Sequence, residues 1–435
     1  MKIAVIGGGS TYTPELVEGF ARRADVLPVD ELVLHDVSRE RLDVVGGLAG
    51  RILRASGWPG RLTLTTGLDG AVEGARAVLV QLRVGGQAAR LVDETLPHGF
   101  DRLGQETTGP GGFAKALRTV PVVLGIADRV RALAGPETWI VDFTNPVGIV
   151  TRALLDAGHR AIGLCNVAIG FQRRLAARLG VVPEQVRLGH AGLNHLSWIR
   201  SVTVDGAERL PDLLRGDHLA WLADEIGLPA DLLRTLDAIP SYYLHYFYCE
   251  QDELRAQRTG PARADEVMRL EAELLALYSD PALDHKPAQL EQRGGAYYSE
   301  AAAALVTSLL TGDGAHHYVN VRNVAPGGEG VVVEGLPPEA VVEVPATVGL
   351  DGARPVPVPP LPPEMLGLVQ HVTAYETLAV EAALTGRRDV ALRALLANPL
   401  VRDWDVSTRL FDALVDANRP FLPAFGDGDG DARRG

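Results

Sequence analysis

Short apolar runs alternate with amphipathic stretches through the first 167 residues. Lys2-Ile3-Ala4-Val5-Ile6 reads as a buried strand, and similar runs recur at 31–35, 62–65, 77–82, 139–142 and 161–164. Between them, 39–56 and 119–133 carry the 3.6-residue apolar spacing of helices. Thr13-Pro14-Glu15 has the order of an N-cap, a first helical proline and a first-turn acid. Strands alternating with helices predict an α/β fold, a Rossmann-like doubly wound parallel sheet with right-handed crossovers.

Beyond residue 167 the pattern changes. Polar-alternating strands are expected at 196–204, 317–321, 330–333 and 341–344, mixed with long helices at 263–278, 297–310 and 365–384. This predicts a C-terminal α+β domain packed on the first, as in lactate and malate dehydrogenases. The proposed division is a nucleotide-binding domain at 1–167, a substrate and metal domain at 168–423, and a flexible acidic tail at 424–435. The proline-rich stretch 355–363 reads as an extended spacer before the last helices.

Charge narrows the partners. The 435 residues hold 42 Lys+Arg and 55 Asp+Glu, a net charge of −13, which argues against general affinity for nucleic acid or an anionic membrane. A local basic pocket for a small phosphorylated ligand remains compatible with it. The two cysteines, Cys165 and Cys249, exclude a disulfide framework and point to a reducing compartment. No run of eighteen apolar residues and no secretory leader is present, so the expected location is the cytoplasm.

Candidate chemistry gathers where strands end. Gly7-Gly8-Gly9-Ser10-Thr11 joins the first strand to the first helix, where a dinucleotide pyrophosphate binds, although Tyr12 stands in the place of the third fingerprint glycine. Asp36 ends the second strand, where a carboxylate accepts the ribose hydroxyls of NAD and repels a 2′-phosphate. A glycine turn without a ligand is the plain alternative. Cys165 and Asn166 end the sixth strand, and His195 follows thirty residues on; a thiolate and an imidazole can share one divalent metal. Equally, a lone Cys is often a small buried hydrophobe and a lone His a satisfied polar group. Arg83, Glu106 and Asn145 lie in loops that either reach the cleft or serve as turns. Arg263 and Arg293 either grip a phosphate or make surface ion pairs. The aromatic run 241–248 is mostly packing material.

Taken together, these motifs resemble the NAD- and divalent-metal-dependent glycosidases of glycoside hydrolase family 4. The resemblance is carried by 7–16, 104–109, 143–146, 163–166, 192–195, the Tyr243 run, 293–295 and 320–323, and it extends from Met1 to about Phe421. Within the family, Cys165-Asn166 is similar to the 6-phospho-β-glucosidase branch. The resemblance implies Cys165 and His195 as ligands of Mn²⁺, and Tyr243 as general base. It implies Asn145, Asn166 and Glu106 as sugar contacts and Arg83 and Arg263 as substrate or phosphate contacts. The implied reaction is NAD-assisted oxidation at C3, deprotonation at C2 and loss of the C1 aglycone; such enzymes stand outside the two-carboxylate rule for glycosidases. A small sugar, a phosphorylated one in the leading reading, is the implied partner, in a homodimer or homotetramer. Two departures stand out: His245 occupies a place where the family often has Arg, and Ala168 one where it commonly has Pro. The first leaves an unphosphorylated glycoside or uronide open as substrate. A 2-hydroxy-acid dehydrogenase with His195 as proton donor, or a non-catalytic NAD-binding sensor, are the other readings; Asn194 before the histidine and the Cys165 partner speak against the first, and the Cys165, His195 and Tyr243 set against the second.

Overall fold

The structure, a computed structural model, describes residues 1–293 and 297–425; the side chain of Arg293 and the tail from 426 lie outside the described residues. Six parallel strands form its first half: β1 (Lys2–Ile6), β2 (Glu31–His35), β3 (Arg61–Thr65), β4 (Ala77–Val80), β5 (Trp139–Asp142) and β6 (Ala161–Gly163). Their order is β3-β2-β1-β4-β5-β6. That order reverses between β1 and β4, the crevice where doubly wound sheets bind nucleotides. β1, β4 and β5 are apolar and buried on both faces, which is why their sequences read as continuous rather than alternating.

The sheet does not stop at β6. Strands β7 (Val186–Leu193), β8 (Leu196–Val204), β9 (Ala207–Glu208), β10 (Ile239–Pro240), β11 (His316–Arg322), β12 (Val341–Gly349) and β13 (Gly352–Pro355) extend it antiparallel. β11 lies beside β6 with Asn320 opposite Gly163, and β12 beside β7 with Glu343 opposite Gly192. The result is one sheet of 13 strands. One hydrophobic cluster runs from Ile3 to Leu422, so residues on both sides of position 167 share a core; a second gathers Cys165 to Ile239 with Tyr318.

The predicted α/β class is borne out, with two local differences. The segment 330–333 is not a strand. Asn323 has taken over its backbone: the Asn323 Oδ1 accepts from the N–H groups of Val332 and Val333 at 3.1 and 2.7 Å, and its Nδ2 donates to the carbonyls of Val333 and Leu336. A side chain that satisfies these groups removes the need for a ladder. The helix expected from residue 119 begins at Gly109 and runs to Ala134. Its glycine-rich first turns looked like loop, but they are buried, and a Cβ at Gly112 would stand 2.1 Å from the Thr107 carbonyl oxygen. Glycine is required there by close approach, not by flexibility. The proline-rich connector behaves as the expected spacer, held to β8 by Arg200, whose Nη1 donates to the carbonyls of Pro359 and Pro360. Among the described residues no helix is long and apolar enough to cross a membrane.

Candidate functional site

The glycine turn closes directly over the end of β1. Gly7 has φ +91°, and a Cβ there would meet the Gln81 carbonyl oxygen at 2.5 Å, so only glycine fits. The N–H groups of Gly7 and Gly8 donate to the His35 carbonyl, and that of Gly9 donates to Asp36 Oδ2 at 2.9 Å. Asp36 also accepts from the Ser38 N–H at 3.0 Å, so its carboxylate braces the turn that the ribose of a dinucleotide would approach. Gln81, which the sequence reading passed over, donates to both the Gly7 carbonyl and Thr13 Oγ1 and ties the turn to the helix Thr13–Ala21. Ser10 and Thr11 lead into that helix, whose dipole and free amides favour a phosphate; the buried Thr11 Oγ1 has no hydrogen-bond partner among the described residues.

Cys165 and His195 lie on two different connections, and each neighbours Tyr243. Cys165 follows β6 and is buried, as is His195 in the two-residue turn between β7 and β8, with φ +62°. Non-glycine residues in that region carry strain of order 1 kcal/mol and mark functional sites. The tyrosine run reaches them through register: β10 pairs with β8, and the Ser241 N–H donates to the Ser197 carbonyl. Tyr243 thereby stacks on the His195 ring with centroids 3.6 Å apart and planes 9° apart. Burial pushes the Cys165 thiol far above its ordinary range and the Glu343 charge adds to this; the Val167 and Asn166 amides and the Asn194 side chain oppose it. Burial drives His195 down to about 4 and raises the Tyr243 phenol well above its usual value.

These donors suit a divalent cation. A cation reverses the Cys165 perturbation by favouring the thiolate and acts in the same direction as burial on His195, since both favour the neutral imidazole. The His195 Nδ1 is buried and has no hydrogen-bond partner among the described residues. Among the described residues no group of three His, Cys, Asp or Glu side chains assembles, so a cation held by such a pair would keep positions for substrate or water.

Glu106 sits in a nest of cations. Lys115 Nζ lies 2.6 Å from its carboxylate, Arg90 3.4 Å, and Arg83 forms a short ion pair with it. Burial would raise the Glu106 carboxyl, but Arg83, Lys115 and Arg90 together hold it well below its ordinary value. Burial and the Arg83 charge bring Lys115 down to about 7. Deeper still, Arg118 donates to Asp93 at 2.8 Å and to the Val84 carbonyl at 3.0 Å, which fixes the loop carrying Arg83. Asn145 is half-buried beside Pro146, with its Oδ1 unpartnered among the described residues, and Asn166 stands at the N-cap position of the helix Val167–Leu179 next to Cys165. Arg263 is the exposed first residue of the helix Arg263–Tyr278 and pairs with Glu266 at 2.7 Å. His245 contacts the Tyr242 carbonyl through Nδ1 and Glu253 through Nε2 at 3.4 Å, so its ring is engaged with its own segment.

Beside these residues opens a solvent-connected cleft of about 410 Å³, lined by Thr107, Pro146, Gly148, Asn194, Tyr375 and Glu376 among others. Glu376, which pattern reading places only on a helix, covers Gly148, where a Cβ would stand 2.7 Å from its Oε1. Burial raises the Glu376 carboxyl to about 8, with Arg152 opposing. A group raised in the folded state stabilises fully below its unfolded value near 4.5 and loses that contribution as pH climbs to about 8. Glu376→Gln should therefore melt with the native chain at pH 4.5 and be more stable than it at pH 9, by roughly 1–4 kcal/mol. Equal melting curves at pH 9 would show that Glu376 is not held protonated.

Glu343, Lys115, Gln81 and Glu376 were missed by the sequence reading. The one signal available was a charged residue inside the apolar stretch Val341-Val342-Glu343-Val344.

Comparison with known proteins identifies the family. The profile described as "Family 4 glycosyl hydrolase" matches residues 2–181, and "Family 4 glycosyl hydrolase C-terminal domain" matches 190–401. The chain is 40% identical to "Probable 6-phospho-beta-glucosidase" of Bacillus subtilis, covering 98% of each chain. It is 36% identical to 6-phospho-beta-glucosidase of Escherichia coli, covering 98% of this chain and 97% of that one. A solved 6-phospho-beta glucosidase from Thermotoga maritima, with NAD and glucose-6-phosphate, superposes with a TM-score of 0.89 at 35% identity over 97% of this chain and 99% of that one. A malate dehydrogenase from Salinibacter ruber, 16% identical with a TM-score of 0.53 over 89% of this chain and 99% of its own, shares the fold. With both profiles matched in order along one continuous sheet, the chain belongs to glycosyl hydrolase family 4.

Proposed function

We propose that the protein hydrolyses 6-phospho-β-glucosides with NAD and a divalent cation, Mn²⁺ in the first instance. The observation that carries this is the meeting of Cys165, His195 and Tyr243 at the end of a nucleotide-type sheet, with Asn166 after the cysteine. Relatives named for β-linked substrates are 34–40% identical over nearly the whole chain, whereas the maltose-6′-phosphate glucosidase of Bacillus subtilis is 26% identical. A second Thermotoga maritima structure contains manganese, NAD+ and glucose-6-phosphate, which supports the same pair of cofactors here.

Cys165 and His195 would hold the cation, and the glycine turn with Asp36 the dinucleotide. When bound, NAD accepts a hydride from C3 of the sugar and returns it at the end, while the cation polarises the neighbouring sugar oxygens. A carbonyl at C3 acidifies the C2–H, and the Tyr243 oxygen would take that proton as a phenolate, a form that the charge of a bound cation favours against the burial that otherwise raises its phenol. The electron pair left at C2 forms a double bond to C1 and expels the aglycone; water then adds at C1 and a proton returns to C2, before the hydride goes back to C3. Asn145 and Asn166 hold the sugar, and Glu106 organises the cations around it. Arg83, whose side chain is 24% exposed, is the member of that nest that reaches a phosphate. The cytoplasm is the proposed compartment, because both cysteines are free and Cys165 must stay reduced.

The engagement of His245 by Glu253 favours a test of the phosphate itself. With NAD⁺, Mn²⁺ and reductant, p-nitrophenyl 6-phospho-β-glucoside should release nitrophenol at least a hundredfold faster than the unphosphorylated glycoside. Equal rates would transfer the assignment to a free glycoside. Release that survives removal of NAD and metal would overturn the redox mechanism.

A further inference from the structure

Glu343 lies near the start of β12, among buried valines, and is itself buried. A carboxylate in such a place costs several kcal/mol unless its oxygens are satisfied. Here they are: Oε1 meets His190 Nε2 at 2.7 Å, and Oε2 accepts from Asn194 Nδ2 at 3.0 Å and Asn320 Nδ2 at 3.2 Å. Each donor comes from a strand, or the end of a strand, flanking β12. A buried network of this kind is seldom better for stability than an apolar one of equal volume. Its position suggests another use.

The Asn194 side chain bridges Glu343 and the Cys165 sulfur, and Asn194 directly precedes His195, whose φ is +62°. One carboxylate thus governs both residues proposed above to hold the cation. It is not a third ligand, since Cys165, His195 and Glu343 do not form a metal-holding group and its oxygens are occupied. A thiolate and a neutral imidazole leave a divalent ion with one uncompensated positive charge in a buried site. We infer that Glu343 is a positioning residue that supplies the counter-charge for the cation and, through Asn194, orients Cys165 and His195.

This rests on the metal assignment to Cys165 and His195, and the test separates the two. Mn²⁺ binding to the NAD-loaded native protein is followed by the loss of the free-ion electron paramagnetic resonance signal. Cys165→Ser must weaken that binding; if it does not, the metal assignment fails and the Glu343 role with it. If it does, Glu343→Gln, which keeps the shape and removes the charge, should raise the Mn²⁺ Kd by about tenfold or more. NAD affinity should stay within about twofold. With Co²⁺ in place of Mn²⁺, the thiolate-to-metal charge-transfer band should shift in Glu343→Gln, a signature that a merely structural role would leave alone. Unchanged Mn²⁺ Kd in folded Glu343→Gln overturns the proposal. Should that variant not fold, Glu343→Asp decides on the same measurement: a Kd raised threefold or more supports the role, and a native Kd overturns it.

Discussion

Tyr243→Phe is expected to lose turnover by roughly 10²- to 10⁴-fold, the range for removal of a general base. The substitution is clean because the ring is held by stacking: its centroid lies 3.6 Å from that of His195, and phenylalanine preserves that contact. Only the hydroxyl goes. The diagnostic measurement is exchange of the C2 proton of a 6-phosphoglucoside in D₂O, followed by nuclear magnetic resonance. Exchange should fall together with turnover while NAD affinity is retained. Full exchange in the variant would remove Tyr243 from the C2 step.

Cys165→Ser should be the other severe change, with a drop in kcat/KM of about 10³-fold, equivalent to about 4 kcal/mol. Serine nearly matches cysteine in size, so the buried pocket around β6 is kept. What it lacks is a donor that ionises beside a cation. Added Mn²⁺ should therefore fail to restore the variant, whereas native protein stripped by a chelator should recover on Mn²⁺ addition. Recovery of Cys165→Ser at millimolar Mn²⁺ to native rates would show that the thiol is not a ligand. The same reasoning makes the native enzyme sensitive to oxidants, with thiol reductant restoring activity as long as oxidation stops at the reversible stage.

The two halves of the chain were legible to different degrees. β1, β2 and β5 coincide with the apolar runs read from the sequence, because a parallel strand buried on both faces admits little else. The helix from Gly109 was read ten residues short, since glycine signals a loop locally while its close packing here is tertiary. Asn323 similarly converted a strand-like run into a looped one by a contact that no window of 330–333 contains.

At the site, the candidate residues themselves could be named from motif and resemblance: the glycine turn, Asp36, Cys165, Asn166, His195 and Tyr243. Their chemistry follows from residue type, and their placement at strand ends follows from the α/β alternation. Folding added what depends on distance across the sheet. Register between β8 and β10 laid Tyr243 on His195, and antiparallel pairing of β12 with β7 and β11 put Glu343 behind the cysteine–histidine pair. It also gathered Arg83, Arg90 and Lys115 around Glu106 from loop and helices. Local pattern encodes which face of an element is apolar. Buried charge is tolerated only where partners from remote elements meet it, and those meetings are written in the pairing of strands.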